Sequence, residues 1–332
     1  MRIVPQFLLV TLLCCCATVA QPDLSSQGFT QSPHFGEWVR EATFDPDARY
    51  VVNAPADFDP DRPTQVVFYG LPNGNTIEQT IGQRMYEGLD WHFDIQHIGA
   101  QIRHLRQLIT DRNLVVVYLE ASPRSWPSWR QNHEGSNALI AQLLEEATAG
   151  LGEDQTWALT GHSGGGSLIF GHINGQSEIP DRVTRIALLD ANYAYSDKYH
   201  HGAKLLEWLH RNPENHLVVV AYDDRNITFN GERVVSDTGG TYRATTVRMI
   251  PRLERDVQFE HWQEGDILHW TAMDGQIDIR VHTNPENRIL HTVLVGEMNG
   301  LIHALTVGTP LAGEAGTLEM GRVYEDWIQE GD

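Results

Sequence analysis

The chain is short of cysteine, of lysine and of positive charge. Its three cysteines, Cys14, Cys15 and Cys16, are consecutive and lie within the first twenty residues. From Gln21 onward there is none. Disulfides, thiolate metal sites and a cysteine nucleophile are thereby excluded together for that part. Such a chain must be held by its core. Lysine occurs only at Lys198 and Lys204, and every other basic residue is arginine. Against 24 basic side chains stand 44 acidic ones, a formal net charge of −20. That balance disfavours a nucleic-acid binder, which needs a basic footprint, and equally an anionic membrane surface as partner. After the first twenty residues no apolar run is long enough to span a bilayer.

What is present is the composition of a folded protein, with 41% hydrophobic and 20% charged residues. The 332 residues can bury a proper core. Residues 1–20 read as a secretory signal peptide. Arg2 supplies the positive start, 7–16 the apolar core, and Thr18 and Ala20 the small residues before a cut at Gln21. A lipoprotein signal fits less well, because no small residue precedes a cysteine. The protein is therefore expected to be secreted or periplasmic, with no membrane contact once the signal is removed. Residues 21–36 are polar and read as a flexible arm, and 37–332 as a single domain.

Within that domain strands and helices alternate. Apolar runs at 49–53, 65–69, 114–119, 156–160, 183–189 and 217–222 read as strands. LVVVYL and LVVVAY are continuous, as strands buried on both faces should be. Helical spacing marks 95–109, 137–151 and 203–210. A helix over 241–255 would be kinked by Pro251. Short alternating runs at 257–262, 267–271 and 277–283 read as a meander or as the last strands of the sheet. Leu294, Met298, Leu301, Ile302 and Leu305 predict a further helix, and 324–328 a closing one. The pattern predicts an α/β fold with a mostly parallel twisted sheet flanked by helices, and a short β-rich segment toward the C-terminus.

The motif with chemical content is Gly161-His162-Ser163-Gly164-Gly165, which fits G-x-S-x-G. Its context gives it weight: an apolar strand precedes it and an apolar helix start follows. A serine on such a turn projects its hydroxyl above the sheet edge as a nucleophile. On these residues the chain resembles the α/β-hydrolase superfamily. The opening RYVVNAPADFDPDRPTQVVFYG is similar to that of secreted serine esterases of the polyhydroxybutyrate depolymerase and feruloyl esterase type. Those often carry His-Gly after the second strand, whereas this chain has Tyr69-Gly70-Leu71-Pro72-Asn73-Gly74-Asn75.

The resemblance implies a triad in the order serine, acid, histidine. Asp224 has the offset of the acid, with Asp223 and Asp190 as alternatives at strand ends. His291 is the preferred base, because it follows the last expected strand, and His303 is the alternative. His261, His269 and His282 lie inside alternating runs and read as sheet-face residues. The resemblance further implies an oxyanion hole from the amides of Gly164 and Leu71. His92, His97 and His104 lack metal-ligand spacing. Trp126 and Trp129 read either as loop packing or as a grip on a sugar or aryl group. Asn226-Ile227-Thr228 has the form of a glycosylation acceptor.

The expected activity is hydrolysis of a carboxylic ester, of small-molecule or polymer origin, through an acyl-enzyme. No cofactor or metal is implied. A peptidase or amidase with the same triad and a hydrolase-fold binding protein without catalysis are the competing readings.

Overall fold

A computed structural model describes residues 24–331, so the segment read as a signal peptide lies outside the described residues. Its first strands are β1 (Thr30–Gln31), β2 (Trp38–Phe44), β3 (Ala48–Ala54), β4 (Thr64–Gly70), β5 (Asn113–Ala121), β6 (Gln155–His162), β7 (Val183–Leu189) and β8 (His216–Tyr222). A hairpin of β9 (Thr228–Phe229) and β10 (Glu232–Arg233) follows. The last strands are β11 (Glu260–Glu264), β12 (Ile267–Ala272) and β13 (Ile277–His282). Eleven of these form one sheet in the order β1-β2-β3-β5-β4-β6-β7-β8-β13-β12-β11. Its middle, from β5 to β13, is parallel. Both margins are antiparallel.

Apolar runs become central strands because both of their faces are covered. Val66 and Phe68 of β4 join one buried cluster, with Val115, Val117 and Leu119 of β5. Val67 and Tyr69 join the cluster on the opposite face, with Leu114, Val116 and Tyr118. Alternate side chains thus enter opposite layers, and neither set needs to be polar. The expected α/β class and mostly parallel sheet are what the chain forms. The expected β-rich segment is the meander β11–β12–β13, joined to the sheet through the parallel pairing of β13 with β8.

Several local expectations need correcting. Residues 21–36 read as a flexible arm, yet from Leu24 onward they are docked. Leu24 and Phe29 are buried, β1 pairs with β2, and the Arg40 guanidinium lies 4.7 Å from the centre of the Phe29 ring. Strand β2 escapes the sequence pattern because most of its residues are partly or fully exposed at the sheet margin. The helix expected at 294–305 is two short ones, Val293–Gly296 and Gly300–Thr306. Asn299 separates them at φ 52°, a left-handed conformation that asparagine tolerates. Ahead of Pro251 the helix widens into a π-turn over Ala244–Met249. The closing helix shrinks to a single turn, Glu325–Trp327.

One buried ion cluster ties the margin to the helical layer. Glu37, just ahead of β2, is 4% exposed. It accepts hydrogen bonds from Arg103 at 2.9 Å and Arg106 at 2.5 Å, both on helix Ile98–Leu108. Burial alone would raise the Glu37 carboxyl, but the guanidiniums of Arg106 and Arg103 outweigh it and hold the group below its ordinary value.

The strand order also fixes where a site can form. From β4 the chain crosses to β5 on one side, then returns to β6 on the other side of β4. That reversal opens a crevice beyond the carboxyl ends of β4 and β6, the place where open parallel sheets bind ligands. Gly70 ends β4 and His162 ends β6.

The Glu37 cluster yields a stability prediction. Glu37→Ala leaves two buried guanidiniums without their carboxylate, a loss of roughly 3–5 kcal/mol. Thermal unfolding is expected to shift down by several degrees, and an unchanged midpoint would contradict the cluster's role.

Candidate active site

Strand β6 runs into Ser163, which adopts φ 52°. A left-handed conformation at a residue with a side chain costs about 1–3 kcal/mol and persists only where its surroundings enforce it. Here the enforcement is backbone crowding. The turn Ser163–Gly165 leads directly into helix Gly166–Gly175. A Cβ on Gly165 would lie 2.0 Å from the Gly70 carbonyl oxygen, and one on Gly166 1.7 Å from that of Ala191. Only glycine lets the helix start press against the ends of β4 and β7. Ser163 is left partly exposed in the crevice. The Gly164 amide sits in the first turn beyond it, where N–H groups have no intrahelical acceptor.

His291 arrives from the loop after β13. Asn284 holds that loop: its side-chain amide donates to the carbonyls of Asp223 and Arg288, both at 2.9 Å. Leu290 anchors it in the core. The His291 ring packs against His162, the residue before Ser163, with centroids 4.4 Å apart. His162 Nε2 donates to the His291 carbonyl oxygen at 2.8 Å. Burial, and then the neighbouring His291, push the His162 pKa well below its ordinary value, so His162 stays neutral.

The acid beside His291 is Asp190. Its Oδ2 is hydrogen-bonded to His291 Nδ1, and the residue is fully buried. Asp190 follows β7 at φ 46°, and its amide donates to the Val220 carbonyl at 2.7 Å. A carboxylate on Nδ1 places the ring proton there and leaves Nε2 as the ring's acceptor nitrogen. Asp224, expected as the acid from its offset after β8, makes no hydrogen bond to His291 among the described residues. It accepts the Thr241 amide at 2.8 Å, and Thr241 donates its hydroxyl to Asp190 Oδ1. Thr241 thus bridges the two carboxylates. The alternative Asp223 is taken by Arg225 at 2.6 Å.

The other sequence-named residues lie elsewhere. His303 Nε2 is 3.3 Å from Asp278 Oδ1, on helix Gly300–Thr306. The Leu71 amide donates to Leu119 at 3.2 Å and so extends the β4–β5 pairing, which uses up the donor expected for the oxyanion hole. The Asn73 amide has no hydrogen-bond partner among the described residues. Asn73 lies against Gly164, whose added Cβ would meet Asn73 Oδ1 at 2.0 Å. Trp126 and Trp129 are buried and donate to the Leu119 and Pro46 carbonyls, so they pack the fold rather than grip a ligand. His162 and Thr241 were not singled out by sequence. His162 stands inside the motif, but its contact depends on where a loop 129 residues later returns.

Ser163 opens onto a cavity of about 620 Å³ whose wall includes Asn73, Gly164, Arg130, Tyr193 and Tyr199. A larger groove of about 1180 Å³, bordered by Asn284, Leu290 and Glu319, does not include Ser163. Among the described residues, no group of three or more histidines and carboxylates is placed to hold a metal ion. Nor is any helix long and apolar enough to cross a membrane.

No family model matches the chain, and no curated protein does. Solved structures do. The glucuronoyl esterase from Solibacter usitatus is similar at 9% identity and TM-score 0.41, over 77% of this chain and 79% of that one. The siderophore hydrolase EstB from Aspergillus nidulans is similar at 10% and 0.42, over 85% and 97%. An S-formylglutathione hydrolase from Agrobacterium tumefaciens is similar at 13% and 0.39, over 77% and 90%.

The carboxylate pair gives a pH prediction. Burial, and then the Asp190 charge, push the Asp224 carboxyl up to about 6. A carboxyl raised in the folded state binds its proton more tightly there than when unfolded. Stability is therefore lost as pH rises from about 4 to about 6, by roughly 1–3 kcal/mol. Asp224→Asn is expected to unfold at higher temperature than the parent at pH 7.5, with the difference vanishing near pH 4. An equal gap at both pH values would contradict the shift.

Proposed function

We propose that this chain, which has the α/β-hydrolase fold, is a secreted serine hydrolase that cleaves a carboxylic ester. One observation carries the reading. A histidine bonded through Nδ1 to a fully buried carboxylate packs against His162, the residue that precedes a serine in a strained turn. Buried charge and backbone strain are both costly, and they coincide at the crevice of the sheet.

Each residue then has a task. His291 Nε2 takes the Ser163 proton as Oγ attacks the ester carbonyl carbon. Asp190 fixes the imidazole tautomer and supports its positive charge. The carbonyl oxygen, now an oxyanion, is received by the Gly164 and Asn73 amides, each worth about 3 kcal/mol in comparable sites. Collapse breaks the ester C–O bond, and His291 returns its proton to the departing alkoxide. Water, deprotonated by His291, attacks the acyl-serine and releases the acid and the free hydroxyl. His162 holds the His291 backbone while remaining uncharged. The 1–20 signal pattern supports export.

Two measurements test this. A fluorophosphonate probe is expected to modify the parent protein at Ser163 and to leave Ser163→Ala unlabelled. A folded parent protein that resists labelling would overturn the reading. Hydrolysis of p-nitrophenyl acetate should fall by about three to four orders of magnitude in Asp190→Asn. In Asp224→Asn it should stay within tenfold of the parent. The reverse ranking would return the acid role to Asp224.

A further inference from the structure

The cavity beside Ser163 carries an unusual charge for so acidic a protein. Among the residues that line it, the only formal charge is the Arg130 guanidinium. Arg130 donates to the Ser167 carbonyl at 2.9 Å, to the Ser167 hydroxyl at 3.1 Å and to Asn137 Oδ1 at 3.0 Å. These partners are neutral, and among the described residues no carboxylate pairs with it. Glu37, Glu120 and Asp278, by contrast, each have an arginine partner.

Outside the lining, both lysines of the chain lie against its neighbours. Lys198 Nζ lies 5.6 Å from the centre of the Tyr199 ring, which borders the cavity. Lys204 donates to the Ile173 carbonyl at 2.9 Å. His201, whose Nε2 meets the cavity residue Asn174 at 2.8 Å, is pushed down to about 4 by burial and then by Lys204 and Arg130. The nearby acid Asp197 accepts from the Tyr195 hydroxyl at 3.2 Å and does not line the cavity. Tyr193 and Tyr199, 41% and 50% exposed, offer aromatic surface on the same wall.

A guanidinium without a counter-charge, at a site that takes a ligand, favours an anion, and Nη2 keeps an N–H beyond its bond to Asn137 that a carboxylate oxygen can accept. We propose that the Ser163 site prefers esters bearing a second, anionic group, a carboxylate on the acyl or the alcohol part, which Arg130 receives. The inference rests on the serine-hydrolase reading of Ser163. The tyrosine surfaces then cover the apolar stretch between ester and carboxylate.

The test compares matched esters. On the alcohol side, 4-acetoxybenzoate is compared with its methyl ester. On the acyl side, the mono-p-nitrophenyl ester of adipic acid is compared with p-nitrophenyl hexanoate. The parent protein is expected to favour the charged member of at least one pair by tenfold or more in kcat/KM, mainly through KM. Arg130→Gln should bring that ratio toward one, and Arg130→Lys should keep part of it. Arg130 also joins Ser167 to Asn137, so thermal melts accompany the kinetics. If the Gln variant is unfolded, the Lys variant and a salt titration of the parent protein decide, the preference falling as ionic strength rises. A ratio near one in the parent protein for both pairs, a ratio unchanged by Arg130→Gln in a folded variant, or one insensitive to salt would each overturn the proposal. Fluorophosphonate labelling runs alongside. Labelled Ser163 with no charge preference removes this inference alone, whereas an unlabelled, folded protein removes the hydrolase reading with it.

Discussion

The arrangement depends on one close approach of backbone to backbone. The Gly165 α-carbon sits so near the Gly70 carbonyl that a Cβ there would lie 2.0 Å from it. This contact sets how tightly the helix after Ser163 packs against the end of β4. It forces the serine into the left-handed region at φ 52°. It also brings Asn73, in the loop after β4, beside Gly164. The strain at Ser163 and the closeness of Asn73 to Gly164 thus go together with one steric constraint.

The electrostatics rest on a second economy. Asp190 is buried completely, which would be costly for an isolated carboxylate. It is held by the His291 ring, the Thr241 hydroxyl and its own amide's bond to Val220. Asp224 shares Thr241 and is driven toward its protonated form by the same burial and by Asp190. Asp190 meets the imidazole, and its neighbour Asp224 is the carboxyl that is pushed up. The two belong to different strand ends, and the segment that begins at Thr241 joins them.

Much of this was legible in the sequence. The elbow around Ser163 could be read because its requirements fall on contiguous residues: a β-strand, a tight turn, glycines, a helix start. The central strands could be read because burial on both faces removes polar residues altogether. His291 stood out as a histidine in a loop after the last strand. The carboxylate that meets His291 was less accessible. Asp190 and Asp224 both end buried strands, and spacing says nothing about which carboxylate turns toward the imidazole. That depends on Asp190 taking φ 46° and on Thr241 occupying Asp224. Leu71 was misread for a similar reason. Whether a strand pairs for one residue more is decided by its neighbour, here Leu119. Trp126 and Trp129 lie in a helix opened by Ser125, which turns them into the core. Strand β2 hid because a marginal strand keeps polar residues along much of its length.

If Ser163, His291, Asp190 and the Gly164 and Asn73 amides act on one acyl group, a crystal structure after reaction with diethyl p-nitrophenyl phosphate, which loses p-nitrophenolate as Ser163 Oγ bonds to phosphorus, will show them together. The phosphoryl oxygen is expected between the Gly164 and Asn73 amides. His291 Nε2 is expected within hydrogen-bond reach of an adduct oxygen, with Nδ1 still on Asp190. An adduct on another residue, a phosphoryl oxygen turned away from both amides, or a His291 ring bonded to Asp224 instead would contradict it.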